Sequence, residues 1–139
     1  MPAITRWYVR TSLLYLIGAL ALAVLLALAQ VVTLPAALRA AGPVYFHLFL
    51  VGWVTQLIMG IVFWMFPKYS KERPRGSEGL AVATYVLLNV GLLLRMLGEP
   101  GAAVSEGQLW SWALVLSACL QWLAGMFFVA NTWGRVKER

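Results

Sequence analysis

Four long apolar runs alternate with short polar stretches along the chain, at about residues 7–32, 43–66, 80–97 and 109–133. Each is long enough, at ~1.5 Å rise per residue, to cross most or all of a ~30 Å hydrocarbon layer as a helix. The second is the most uniform. In PVYFHLFLVGWVTQLIMGIVFWMFP, from Pro43 to Pro67, 23 residues lie between two prolines with no Lys, Arg, Asp or Glu among them. Breakers separate the runs. Thr33, Pro35 and Gly42 follow the first, Pro67 ends the second, and Gly98-Glu99-Pro100-Gly101 read as the stop of the third. The pattern predicts an all-α integral membrane protein, a single four-helix transmembrane bundle over residues 1–139.

Composition agrees with this class. The chain is 62% hydrophobic and 12% charged, about half the charged share of a soluble domain. The net charge of +6 does not indicate nucleic acid, because the basic residues crowd the ends of the apolar runs. Arg6, Arg10, Lys68, Lys71, Arg73, Arg75, Arg135, Lys137 and Arg139 fall on one side of the four spans, and only Arg39 and Arg95 on the other. Under the positive-inside rule this places both termini in the cytoplasm. The loop KYSKERPRGSEG, Lys68 to Gly79, then reads as a solvated cytoplasmic turn, with a lipid-headgroup patch as the alternative. A cleavable signal is not expected, since the first run is too long. Cys119 is the only cysteine, which excludes an intrachain disulfide. It reads as a small apolar residue.

Small and polar residues mark packing faces. Ala19, Ala23 and Ala27 form a small-residue stripe on the first helix. At ~100° per residue, Gly52, Gln56, Gly60 and Phe63 share one stripe of the second, and His47, Val51, Val54 and Ile58 lie roughly opposite. Ser117, Gln121 and Gly125 repeat the small-polar pattern on the fourth helix. Gln56 and Gln121 are thus expected to hydrogen-bond between helices.

His47, the only histidine, is the candidate functional residue. An ionisable or ligating side chain inside a span is a functional-site hypothesis by default. Its bland reading is a hydrogen bond to a backbone carbonyl or to Glu99. Against that, Phe46, Phe49 and Trp53 surround it with surfaces able to pack a flat macrocycle. Arg39 and Arg95 lie in the same leaflet, where they can meet propionates. Met96 stands at the same level as a candidate sixth ligand. Neutral imidazole is an axial ligand of haem iron.

The stretch His47-Leu-Phe-Leu-Val-Gly52-Trp53, continuing to Gly60 and Trp64-Met65-Phe66-Pro67, resembles the second transmembrane helix of haem–copper oxidase subunit I, nearest to the cbb3 oxidases and nitric oxide reductases. The resemblance covers about 25 residues. It implies that His47 ligates a haem b near the outer surface. It also implies that the chain corresponds to one of three four-helix repeats of that subunit, in a bacterial or archaeal cytoplasmic (inner) membrane. The chain departs from the family by lacking the further histidines needed for a second haem and a copper, so oxygen or nitric oxide reduction is not implied.

The expectation is therefore a haem b-binding membrane protein of b-type cytochrome character, acting in electron transfer, haem handling or gas and redox sensing. One histidine per chain, on a face turned away from the packing stripe, favours a homotrimer or homodimer. The alternative is a cofactor-free accessory or assembly subunit of a respiratory complex. A channel or transporter is less favoured, because Gln30, Gln56, Asn89, Gln121 and Asn131 are scattered.

Overall fold

The computed structural model describes residues 1–70 and 74–136. Lys71 and Arg73 of the basic loop and Lys137 and Arg139 of the tail, counted above for orientation, lie outside the described residues. Over the described residues the regular structure is entirely helical. Helix α1 spans Ala3–Leu28, and a short turn α2 spans Ala36–Arg39. Helix α3 spans Gly42–Met65, α4 Glu78–Val104 and α5 Gln108–Thr132, continued by a 3₁₀ turn Trp133–Arg135. Four of these helices are long and apolar enough to cross a membrane.

The element boundaries depart from the hydropathy reading in three places. Helix α1 starts at Ala3 and stops at Leu28, and the loop after it contains α2. Helix α4 does not stop at Gly98–Gly101; it runs through Pro100 to Val104. Proline removes one backbone donor, but its fixed φ is close to a helical value. The two glycines there serve α5, since a Cβ on Gly98 would sit 2.9 Å from Leu114 and one on Gly101 would run into the Trp110 ring. The third departure is internal. From His47 to Thr55, α3 is π-helical, and its Gln56 N–H donates back to Val51 O, a bond of the i→i+5 type. Counting 100° per residue fails across such a segment. Accordingly Val51, placed on the outward stripe with His47, packs against the main core, while Ile58 does face outward at 53% exposure.

Helices α1 and α3 pair antiparallel. Gly52 admits Tyr15 and Gly60 admits Tyr8, each so closely that a Cβ would overlap the tyrosine. Helices α4 and α5 form the second antiparallel pair. The pairs meet in a core of Ile4, Tyr8, Met59, Phe63, Ala81, Leu88, Leu92 and Ala124.

Polar bonds set the register between the pairs. Tyr8 Oη donates to Ala81 O at 3.0 Å, Thr11 Oγ1 and Tyr85 Oη share a 2.7 Å bond, and Tyr15 Oη donates to Asn89 Oδ1 at 2.8 Å. The sequence separations are 73, 74 and 74, so α1 and α4 run parallel and level.

The start of α4 is held by Ser77. Its Oγ accepts from Leu80 N–H at 3.2 Å, while Asn131 of α5 clamps the Ser77 backbone from both sides. Arg135, fully buried, reaches the carboxyl end of α3. The beginning of α1 and the end of α5 therefore lie at the same end of the bundle as the loop between α3 and α4.

Candidate functional site

His47 sits at the opposite end, where the π-helical segment of α3 begins. It is half-buried. Its Nδ1 lies 2.9 Å from Pro43 O, one turn back. A carbonyl oxygen only accepts, so Nδ1 carries the proton in that bond. In the neutral ring this leaves the Nε2 lone pair available. The backbone hydrogen bond of the bland reading is thus present. Glu99, its other candidate partner, is engaged elsewhere.

The neighbouring side chains follow from their helix positions. Leu48 turns inward and builds a small core with Ala19, Ala41 and Val44, against which Tyr45, Phe49 and Met96 pack. Met96 therefore stands at the level of the His47 turn, as read from the sequence. The rings of Phe49 and Trp53 meet edge to face with centroids 4.8 Å apart, and Tyr45 lies 5.5 Å from Phe46 and 6.0 Å from Phe49. Phe46 is 61% exposed. The aromatic residues near His47 form a chain along α3 and part of it faces outward.

Of the two basic residues, Arg39 is exposed at the end of α2, a turn that packs on α4. Arg95 is bonded through Nη1 to Glu99 Oε1 at 2.8 Å, one turn along its own helix. The Arg95 Nε is buried and has no bonding partner. Part of the guanidinium is therefore uncommitted. No three His, Cys, Asp or Glu side chains come together as a metal site among the described residues.

The glutamine pair does not form. Gln121 Nε2 donates to Ser117 Oγ at 3.1 Å within α5, and Ser117 Oγ donates across to Gly91 O at 2.6 Å. Gln56 is fully buried between the levels of Gly52 and Gly60, and neither of its amide atoms has a bonding partner.

Sequence reasoning passed over two sets of residues. The stripe Tyr8, Thr11 and Tyr15 carries the polar contacts to α4, and its i, i+3, i+7 spacing was the available signal. Arg135 was counted as a tail charge. Instead it donates Nε–H to Pro67 O at 3.0 Å, Nη1–H to Phe63 O at 3.0 Å and Arg75 O at 3.4 Å, and Nη2–H to Phe66 O at 2.7 Å. The carbonyls at the end of α3 lack intrahelical donors and carry the negative end of its dipole, so a guanidinium there is well placed. In the basic stretch GRVKER, nothing in the sequence separates Arg135 from Lys137 and Arg139.

Fold and surface together define the class as a multi-pass helical membrane protein with four candidate spans. No family model, curated protein or solved structure matches this chain.

Proposed function

We propose that the chain is a haem b-binding membrane protein, with His47 as axial ligand through Nε2 and a role in electron transfer, haem handling or gas and redox sensing. The observation that carries the reading is the 2.9 Å contact from His47 Nδ1 to Pro43 O. A backbone acceptor on one ring nitrogen fixes the tautomer and orients the other nitrogen for a metal. With one histidine in the chain, the metal must bring most of its own ligands. Haem does so, needing from the protein only axial donors. Bound haem would supply one-electron chemistry or gas ligation. Phe46, Phe49 and Trp53 would pack its faces, Arg39 and the free edge of Arg95 would meet its propionates, and Met96 is the candidate for the sixth position.

The resemblance of the His47–Pro67 stretch to haem–copper oxidase subunit I supports the same role. On this reading the protein lies in a bacterial or archaeal inner membrane; the Lys/Arg distribution supports cytoplasmic termini, with His47 then near the outer surface. The partly exposed aromatic chain beside His47 favours a homotrimer or homodimer that covers it. A Soret band in the purified protein tests the haem reading.

One observation favours the second reading, a cofactor-free accessory or assembly subunit of a respiratory complex. Arg95, a proposed propionate partner, already has the carboxylate of Glu99 at 2.8 Å. On this reading the partial burial of His47 reflects helix packing, and its Pro43 bond serves to satisfy the ring.

A further inference from the structure

At the loop end of the bundle, remote from His47, a cleft of about 560 Å³ is lined by Trp64, Met65, Phe66, Pro67, Lys68, Pro74 and Arg75. This volume falls within the usual range for small-ligand sites, roughly 300–1,000 Å³. One wall is the end of α3 with the three residues that follow it; the other is Pro74–Arg75.

Two features hold these walls together. Tyr69 N–H donates to Pro74 O at 3.0 Å and closes the base of the loop. Arg135, fully buried, bonds Phe66 O and Pro67 O of one wall and Arg75 O of the other. The cleft walls are therefore joined by a buried arginine and a backbone bond and not by surface side chains alone.

Its lining is polarised. Lys68 and Arg75 supply two cations, and neither has an ion-pair partner among the described residues. Among the described residues, no carboxylate lines the cleft. Glu78 belongs to a second cleft of about 310 Å³, which shares Arg75 but is otherwise made by Pro2, Ala3, Ile4, Trp7 and Val82. Below the cations stand Trp64 and Met65, 43% and 68% exposed at the end of the apolar span. Tryptophan at this position belongs at the headgroup boundary.

We infer that this cleft binds the phosphate of an anionic phospholipid, with Arg75 and Lys68 on the phosphate oxygens and Trp64 and Met65 along the glycerol and upper acyl chain. Arginine presents a planar fork suited to phosphate, and lysine a point charge. A zwitterionic lipid is disfavoured because the described lining offers two cations and no anion for its ammonium group. A free phosphate shares the headgroup chemistry but makes no use of the exposed Trp64–Met65 wall. The inference is independent of the haem reading.

The test is native mass spectrometry of the full chain released from membranes of phosphatidylcholine with 10% phosphatidylglycerol, repeated with added inorganic phosphate. The expected result is preferential retention of one phosphatidylglycerol per chain. At roughly 1 kcal/mol per basic residue near an anionic surface, Lys68→Gln and Arg75→Gln should each weaken retention about fivefold and the double variant about thirtyfold. Arg75→Lys should retain most of it, which controls for folding. Equal retention of the two lipids, or undiminished retention by the double variant, would overturn the site. Loss of the retained lipid on adding millimolar phosphate would assign the cleft to soluble phosphate and overturn the lipid assignment.

Discussion

Tyr15 joins two contacts in one side chain. Its ring fills the space left by Gly52 on α3, and its hydroxyl donates to Asn89 Oδ1 on α4 at 2.8 Å. Asn89 Nδ2 in turn donates to Tyr85 O at 2.8 Å, so the amide is oriented by its own helix before it meets Tyr15. The first helix is thereby fixed against both of its neighbours at one level.

This relationship predicts a measurable coupling. Tyr15→Phe keeps the ring against Gly52 and loses only the hydroxyl, and should cost about 0.5–2 kcal/mol. A double-mutant cycle with Asn89→Ala should return a coupling of similar size. Strictly additive losses in reversible unfolding would show that the bond contributes nothing to the register of α1 and α4.

Arg135 should matter more. Arg135→Ala removes three hydrogen bonds at the carboxyl end of α3 and one to Arg75 O, and leaves those carbonyls unpaired. The expected loss is about 2–4 kcal/mol, since each buried unsatisfied group costs ~1–3 kcal/mol but nearby water recovers part of it. Arg135→Lys should recover less than half, because an ammonium cannot span acceptors on two walls. A thermal midpoint unchanged in Arg135→Ala would show that the carbonyls find other partners.

Hydropathy alone located all four long helices, because crossing a hydrocarbon layer requires long runs of apolar residues. It also found the Gly52–Gln56–Gly60–Phe63 stripe, which is buried in the bundle. It could not find which helices adjoin, since lipid and neighbouring helices are equally apolar and the pattern is the same for either. Tyr8, Thr11 and Tyr15 on α1 and Asn89 on α4 were therefore visible as residues but not as a seam. The π-helical segment is a backbone property with no signature in HLFLVGWVT, so the face opposite Gly52 was misdrawn at Val51. Pro100 was read as a stop because proline usually is one; packing of Gly98 and Gly101 against α5 holds that turn helical. At the candidate site, the level of Met96 beside the His47 turn, at the bundle end away from the basic loop, was legible from spacing. The pairing of Arg95 with Glu99 was implicit in their i,i+4 separation.

Orientation has its own test. The nine basic residues on the loop side predict that both termini are cytoplasmic. A reporter fused at the C-terminus should give the cytoplasmic signal, and one inserted near Gly107, in the connection between α4 and α5, the opposite one. Matching signals from the two positions would mean that one of the four helices does not span.

Arg95 distinguishes the two functional readings. If its uncommitted edge meets a propionate, Arg95→Leu should lower haem retention several-fold while helical content and insertion stay unchanged, and Glu99→Gln should leave retention intact. Full haem occupancy in Arg95→Leu would confine Arg95 to its pair with Glu99.

The most direct measurement is the visible spectrum of the purified chain and of His47→Ala, each before and after addition of hemin. If His47 ligates a haem b, the wild type shows a Soret band that shifts on reduction, and His47→Ala loses or strongly displaces it with the four helices still inserted. A wild-type protein that stays colourless and takes up no hemin, or a His47→Ala protein with an unaltered Soret band, would contradict it.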